Sequence, residues 1–186
     1  MVKPGNNLNQ EYNMSKNEDK SVYWNKSNIT FWNLLRLLKF GSTVIASSWS
    51  DEGLFYSEDN GNTWKQSNIK DGYFGCLIAI GNIAIAGNWT DEGLFYSEDN
   101  GNTWNHSNIT SGSFNCLITI GSTVIAGSDS GKGLWYSEDK GKTWKQSNIT
   151  SGFFFCLNVI GNKVIACSDN NDLYYSEDNG KTWNQT

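Results

Sequence analysis

The sequence has very few of the residues on which several classes of protein depend. It contains one proline (Pro4), one histidine (His106) and one arginine (Arg36). It also lacks an apolar run of about 18 residues, the shortest that would predict a membrane-spanning helix. Residues 1–20 are polar and hold no apolar core. We therefore expect no secretory signal and no membrane span in this chain, and the sequence indicates no compartment.

Positive charge is also scarce. The net charge is −5 and the isoelectric point is about 4.8. Proteins that bind a nucleic-acid backbone need a basic face. The charge therefore argues against a nucleic-acid partner, and it argues equally against an anionic membrane surface.

Few residues suit a metal or a catalytic triad. The four cysteines include Cys76, Cys116 and Cys156, which recur at one place in a repeat, and Cys167. A ring of thiols could hold a soft metal, but we expect small, buried, reduced residues. His106 aligns with polar surface residues, so no triad or histidine-based metal site can be built from it. We expect no cofactor.

The most abundant feature is one eight-residue phrase that occurs four times. The copies span residues 57–64, 97–104, 137–144 and 176–183 and lie 40, 40 and 39 residues apart. Around each copy are an apolar run, a glycine, a β-branched run and an aromatic run, each of strand length. No segment shows the periodicity and caps of a helix.

Four short antiparallel strands per 40 residues are typical of a β-propeller blade. We therefore predict an all-β propeller with four-stranded blades. The expected blades are about 32–69, 73–109, 113–149 and 153–186, with strands A to D running from the centre outward. Residues 1–20 are expected to be disordered, and residues 21–29 resemble a spare outer strand D.

The repeated phrase has the composition of a self-contained turn between strands C and D. Glycine accepts a positive φ, serine and aspartate hydrogen-bond the turn backbone, and tryptophan buries a large ring. We predict a structural role for four residues of each copy: Ser57, Asp59, Gly61 and Trp64; Ser97, Asp99, Gly101 and Trp104; Ser137, Asp139, Gly141 and Trp144; Ser176, Asp178, Gly180 and Trp183.

These residues give the chain its resemblance to the Asp-box family, also called bacterial neuraminidase repeats. All four copies match the family pattern Ser-x-Asp-x-Gly-x-Thr-Trp, and the resemblance covers about 155 residues. It implies a sialidase-like propeller fold. It implies less about function, because the family's boxes are structural and lie away from its active sites. The tryptophan–aspartate repeat family shares the period but not the phrase.

Catalysis is not expected. Sialidases bind the substrate carboxylate with three arginines, whereas this chain has only Arg36. Other glycosidases need a suitably spaced pair of carboxylates. Most acidic residues here recur in every blade, as structural residues do. We predict that the chain is not an enzyme, and the residues leave other glycosidase activity open.

The B–C loops and D–A linkers, which we call the loop face, differ from blade to blade, whereas the C–D and A–B turns, the box face, barely differ. Binding usually resides in variable loops on a repetitive scaffold. Candidate ligand-binding residues are the aromatic and acidic ones on the loop face: Trp49, Tyr73, Trp89, Asp129, Phe153 and Asp169. Aromatic rings beside acidic groups suit sugar rings or a protein hot spot, although neutral drift would also vary these loops.

Three functions follow from these observations. The leading one is a non-catalytic recognition module for a glycan or a protein. The alternatives are a glycoside hydrolase or lyase on the same fold, and a recently amplified scaffold without a small ligand. An unclosed series of blades would expose apolar faces. We therefore expect a homo-oligomer or part of a longer array, and a closed four-bladed ring clasped by the spare strand is the other arrangement left open.

Overall fold

The structure is a computed structural model that describes residue 28, residues 34–48 and residues 51–186. Sixteen strands form four sheets. The first sheet holds β1 (Leu34–Phe40), β2 (Thr43–Ser48), β3 (Leu54–Ser57) and β4 (Lys65–Gln66). The second holds β5 (Phe74–Ile80), β6 (Ile83–Asn88), β7 (Leu94–Ser97) and β8 (Asn105–His106). The third holds β9 (Phe114–Ile120), β10 (Thr123–Ser128), β11 (Leu134–Ser137) and β12 (Lys145–Gln146). The fourth holds β13 (Phe154–Ile160), β14 (Lys163–Ser168), β15 (Leu173–Ser176) and β16 (Asn184–Gln185).

Each sheet is an antiparallel meander whose strands pair in chain order. The first pair of every sheet contains a register shift near its loop-face end, for example between Phe74 and Cys76 of the second sheet. Such a bulge twists the strand locally. The predicted all-β fold of four four-stranded blades is confirmed.

Three hydrophobic clusters hold the four blades together, one at each junction between consecutive blades. In the cluster between the second and third blades, Ile85 and Leu94 of one blade meet Phe114, Val124 and Trp144 of the next. All five side chains are buried. The other two clusters have isoleucine, leucine, phenylalanine and tryptophan at the equivalent positions. The apolar surface is therefore buried between neighbouring blades and not within a single sheet.

The two ends of the series differ from its middle. In the described chain, no hydrophobic cluster joins the first blade to the fourth. Leu34 and Leu37 on the first blade are 46% and 63% exposed, and Leu173 on the fourth is 44% exposed. The aligned leucines Leu54 and Leu94 are fully buried. Within the described residues, the end blades thus carry core-type residues on which no further blade packs.

The predicted N-terminal features fall almost wholly outside the described residues. The segment 1–20, predicted to be disordered, and the predicted spare strand 21–29 lie there, with the exception of Asn28. The proposed domain limits stay a prediction. Over the ranges that are described, no helix has the length and apolarity of a membrane span.

Candidate functional site

The four boxes form the β3–β4, β7–β8, β11–β12 and β15–β16 turns, on the box face. In the first, Asp59 accepts hydrogen bonds from the Ser57 hydroxyl (2.8 Å), the Thr63 amide (2.8 Å) and the Thr63 hydroxyl (2.7 Å). The Gly61 amide donates to Ser57 Oγ at 2.8 Å, and Trp64 Nε1 donates to the Gly61 carbonyl at 3.0 Å. The side chains thus hydrogen-bond the backbone groups of the turn without a ligand.

The same bonds recur in the other three boxes. In the first box, the backbone and hydroxyl bonds from Thr63 and the bond from Ser57 lower the pKa of Asp59 to about 2. For Asp99, burial raises the pKa, but the bonds from Thr103 and Ser97 outweigh it, so the pKa falls below its ordinary value. The bonded carboxylates therefore stay charged at neutral pH.

The boxes also join neighbouring blades. Asn68, which follows β4, donates to the Trp104 carbonyl at 2.9 Å and accepts from the Trp104 amide at 2.7 Å. Asn108 and Asn148 clamp the next tryptophans in the same way. The invariance of the box face therefore has a structural explanation in turn closure and blade packing.

A cleft opens on the opposite side of the molecule, between the second and third blades. Its volume is about 340 Å³, and its lining consists of Tyr73, Trp89, Thr90 and Asp129. Three of these four residues are among the predicted candidates. Tyr73 comes from the linker before β5, Trp89 and Thr90 follow β6, and Asp129 follows β10.

Backbone hydrogen bonds position the aromatic wall of the cleft. The Trp89 amide donates to the Tyr73 carbonyl at 2.7 Å, and Ser113 Oγ of the next blade donates to the Trp89 carbonyl at 2.8 Å. The indole lies over Gly75, where a methyl group would be 3.0 Å from the ring and 3.2 Å from Asn115 Oδ1. The small residue at 75 therefore makes room for the Trp89 ring.

The acidic wall of the cleft is Asp129. Its amide donates to the Ser113 carbonyl at 3.0 Å. Its Oδ1 atom is buried and has no hydrogen-bond partner among the described residues. Burial raises the pKa of this carboxyl above its ordinary value. A buried acceptor without a partner is costly to a fold, and this one belongs to a residue that lines the cleft.

Thr90 is the cleft residue that the sequence did not single out. Its amide and hydroxyl both donate to Asn88 Oδ1, at 2.6 and 2.8 Å, and Asn88 Nδ2 donates to Glu92 at 3.0 Å. Asn88 is fully buried, and it stands where the other blades have Ser48, Ser128 and Ser168. That departure from the repeat was the signal available in the sequence.

Of the other candidates, Phe153 and Asp169 do not line this cleft. Trp49 lies outside the described residues. Phe153 and Asp169 face each other on the fourth blade, where the Asp169 amide donates to the Phe153 carbonyl at 3.1 Å. Phe153 is 42% exposed. Their role in binding stays a prediction.

The cysteines of the inner strands line a second cavity of about 270 Å³. The Cys76 and Cys116 thiols are buried and donate to the carbonyls of Phe114 and Phe154 on the following blades, both at 3.4 Å. Burial raises the pKa of Cys116 to about 12. These thiols therefore bridge blades as neutral donors. The described residues contain no cluster of three or more metal-ligating side chains.

Comparison with known proteins agrees with this geometry. The family model of the BNR/Asp-box repeat matches residues 174–185, which include the whole of the fourth box. The other three boxes repeat its sequence and its hydrogen bonds. The chain therefore carries Asp-box repeats on a β-propeller fold. The comparison with curated proteins found no match.

Solved structures similar to this Asp-box protein include enzymes and other proteins. An ancestral GH74 enzyme superposes with a TM-score of 0.65 at 17% identity, over 81% of this chain and 23% of its own. The computationally designed Ika4 protein gives 0.64 at 11%, over 81% and 94%. YCF48 bound to a D1 peptide gives 0.60 at 17%, over 89% and 57%. The chain spans about a quarter of the length of the GH74 enzyme. At these low identities the similarity shows the fold alone.

Proposed function

We propose that this chain is a non-catalytic recognition module that binds a carbohydrate in the cleft between its second and third blades. The observation that carries the proposal is the pairing of Trp89 and Tyr73 with the buried, unsatisfied Oδ1 of Asp129. The pairing occurs on the face where the four blades differ, so it is not explained by the structural repeat.

The chemistry of the cleft suits a sugar ring. Flat aromatic rings cover the apolar C–H faces of a pyranose, while a carboxylate oxygen accepts hydrogen bonds from ring hydroxyls. The Thr90 hydroxyl adds a second polar group on the same wall. The cleft volume of about 340 Å³ falls in the range of about 300–1,000 Å³ common for small-ligand sites.

Hydrolysis is less well supported than binding. Glycoside cleavage normally requires two carboxyl groups flanking the bond. Of the described residues that line the cleft, Asp129 is the one carboxylate. Its raised pKa would suit a general acid, but a lone acid without a nucleophile or base does not complete the reaction.

A peptide is the second candidate ligand. It is favoured by the similar fold of YCF48, whose structure contains a bound D1 peptide. Aromatic hot spots bind side chains as readily as sugars, and Asp129 Oδ1 could accept from a peptide N–H. The two ligand classes are separated by the experiment below.

The test is a glycan array, followed by calorimetric titration of the best glycan against the unchanged chain and two variants. We expect Trp89→Ala to abolish binding and Asp129→Asn to weaken it about tenfold or more, the equivalent of about 1.4 kcal/mol. The matched control is Trp135→Phe, because Trp135 is a half-buried tryptophan outside the cleft and the aligned residues are Phe55 and Phe95. The control should bind normally.

Three results would contradict the proposal. Absence of binding to every glycan, with binding to a peptide library that Trp89→Ala removes, would favour the peptide. Turnover of a glycoside that depends on Asp129 would favour an enzyme. Binding of neither class would favour a scaffold without a small ligand.

A further inference from the structure

The three blade junctions share one set of contacts. At the second junction, an isoleucine and a leucine of one blade, Ile85 and Leu94, pack on a phenylalanine of the next, Phe114. Ile85 also lies against the box glycine of the next blade, so that a methyl group on Gly141 would be 2.5 Å from Ile85 Cδ1. A polar contact completes the set: Cys76 donates to the Phe114 carbonyl at 3.4 Å, as Cys116 does to that of Phe154 at the third junction. At the first junction the Ser47 hydroxyl donates to the Phe74 carbonyl instead.

The last blade presents the first half of this set, and no blade of the described chain packs against it. Its Ile165, Leu173 and Cys156 align with Ile85, Leu94 and Cys76. Ile165 is half-buried, Leu173 is 44% exposed and Cys156 is exposed.

The first blade presents the second half. Its Leu34 aligns with Phe114 and is 46% exposed, and Leu37 beside it is 63% exposed. A methyl group added to its box glycine, Gly61, would meet the Trp64 ring at 3.8 Å and no other described residue within 4 Å. Over the described residues, no isoleucine occupies the place that Ile85 takes against Gly141.

We propose that the fourth blade of one chain docks on the first blade of a second copy, and that two chains close a ring of about eight blades through two identical junctions. For each junction residue that is exposed on the fourth blade, the first blade holds the residue that aligns with its partner in the interior junctions. A second copy therefore supplies the chemistry that the interior junctions already use.

The polar clamp of this junction is already in place. Asn28 donates to the Trp64 carbonyl at 3.1 Å and accepts from the Trp64 amide at 2.8 Å, as Asn68 does for Trp104. The docking blade therefore has to add mainly the apolar contacts of Ile165 and Leu173. A head-to-tail contact of this kind closes when its rotation divides a full turn.

The experiment measures molar mass by light scattering during size-exclusion chromatography, at a load on the order of 100 µM, where a dimer of ordinary affinity is populated. The unchanged chain is expected at twice the 20.8 kDa mass of one chain. A monomer would overturn the proposal. Mass that grows with concentration beyond the dimer would overturn the closed ring.

Two charged variants test the head-to-tail geometry. Ile165→Lys and Leu34→Glu each place a charge in both junctions of their own dimer, so each alone should run as a monomer. Their equimolar mixture should regain the dimer mass, because one junction then pairs Lys with Glu and the other is unchanged. Phe155→Asn, which installs the aligned Asn115 at a position that is 50% exposed, is the matched control and should remain dimeric.

Near-ultraviolet circular dichroism of each variant establishes that it is folded before mixing. Dimers of a single variant, or a folded mixture that stays monomeric, would contradict the proposed junction. If the charged variants unfold, chemical cross-linking of the unchanged chain decides instead. Cross-links between the fourth and first blades of different chains are expected, and cross-links between two fourth blades would overturn the arrangement.

Discussion

Replacing Gly141 by alanine tests whether the box turns carry blade packing. Gly141 has a φ of +88°, and an added methyl group would lie 2.5 Å from Ile85 Cδ1 of the preceding blade. Ile85 is fully buried, so its side chain has little room to move away. Gly121 in the same blade is the matched control, because its φ is +58° and a methyl group there meets nothing within 4 Å.

The two substitutions differ in one respect. Both place alanine in a left-handed conformation, which costs about 1–2 kcal/mol. Only Gly141→Ala also overpacks a blade junction, which typically adds about 1–3 kcal/mol. We therefore expect a loss in unfolding free energy of about 1–2 kcal/mol for Gly121→Ala and about 2–5 kcal/mol for Gly141→Ala.

Urea unfolding followed by tryptophan fluorescence measures the difference. With a slope of about 2 kcal/mol per molar urea, a gap of about 2 kcal/mol separates the two midpoints by about 1 M. Equal midpoint shifts at equal slopes would contradict this prediction. They would show that the contact of Gly141 with Ile85 adds nothing to the cost of the left-handed backbone conformation.

Three further outcomes follow from the geometry. Asp129→Asn should raise the melting temperature at neutral pH, because burial penalises the charged carboxylate, and the gain should shrink as the pH falls through its raised pKa. Acid should destabilise the fold as the box aspartates protonate, beginning near the ordinary pKa of 3.8 and continuing to about 2 for Asp59, as melts from about pH 6 to about pH 2 would measure. Asn68→Ala should lower the unfolding free energy by about 1–3 kcal/mol, measured in urea, because the Trp104 backbone loses both partners. If the melting temperature or, for Asn68→Ala, the unfolding free energy does not change, the corresponding contact does not contribute as described.

Much of the fold follows from the sequence because the repeat makes local signals agree. The spacing of the boxes indicates one sheet per unit, and the β-branched run at Ile83 to Ala86 predicts the buried second strand that the structure shows at Ile83–Asn88. The fourth strand of each sheet is only two residues long, as at Asn105–His106. The side chains of this strand are polar, so the sequence gives no alternation of apolar and polar residues from which its ends could be predicted.

The sequence predicted that the candidate site lies on the loop face, but it did not indicate which of the candidate residues share one cleft. Trp89, Tyr73 and Asp129 stood out because they break the repeat, yet their meeting in one cleft depends on how two blades pack. The exposure of Leu173 could not be predicted for the same reason, since Leu54 has a similar local sequence and is fully buried. Burial in a repeat is decided by the neighbouring unit, which local sequence does not encode.

In the proposed division of roles, the boxes hold the fold and the cleft on the opposite face binds the ligand. Thermal unfolding of Asp99→Ala and Trp89→Ala, each with and without the best glycan from the array, tests both halves together. We expect Asp99→Ala to melt at a lower temperature than the unchanged chain and still be stabilised by the glycan, since bound ligand raises the melting temperature. Trp89→Ala should gain nothing from the glycan relative to its own melting temperature without the glycan. Ligand stabilisation that is lost in Asp99→Ala but kept in Trp89→Ala would contradict the account.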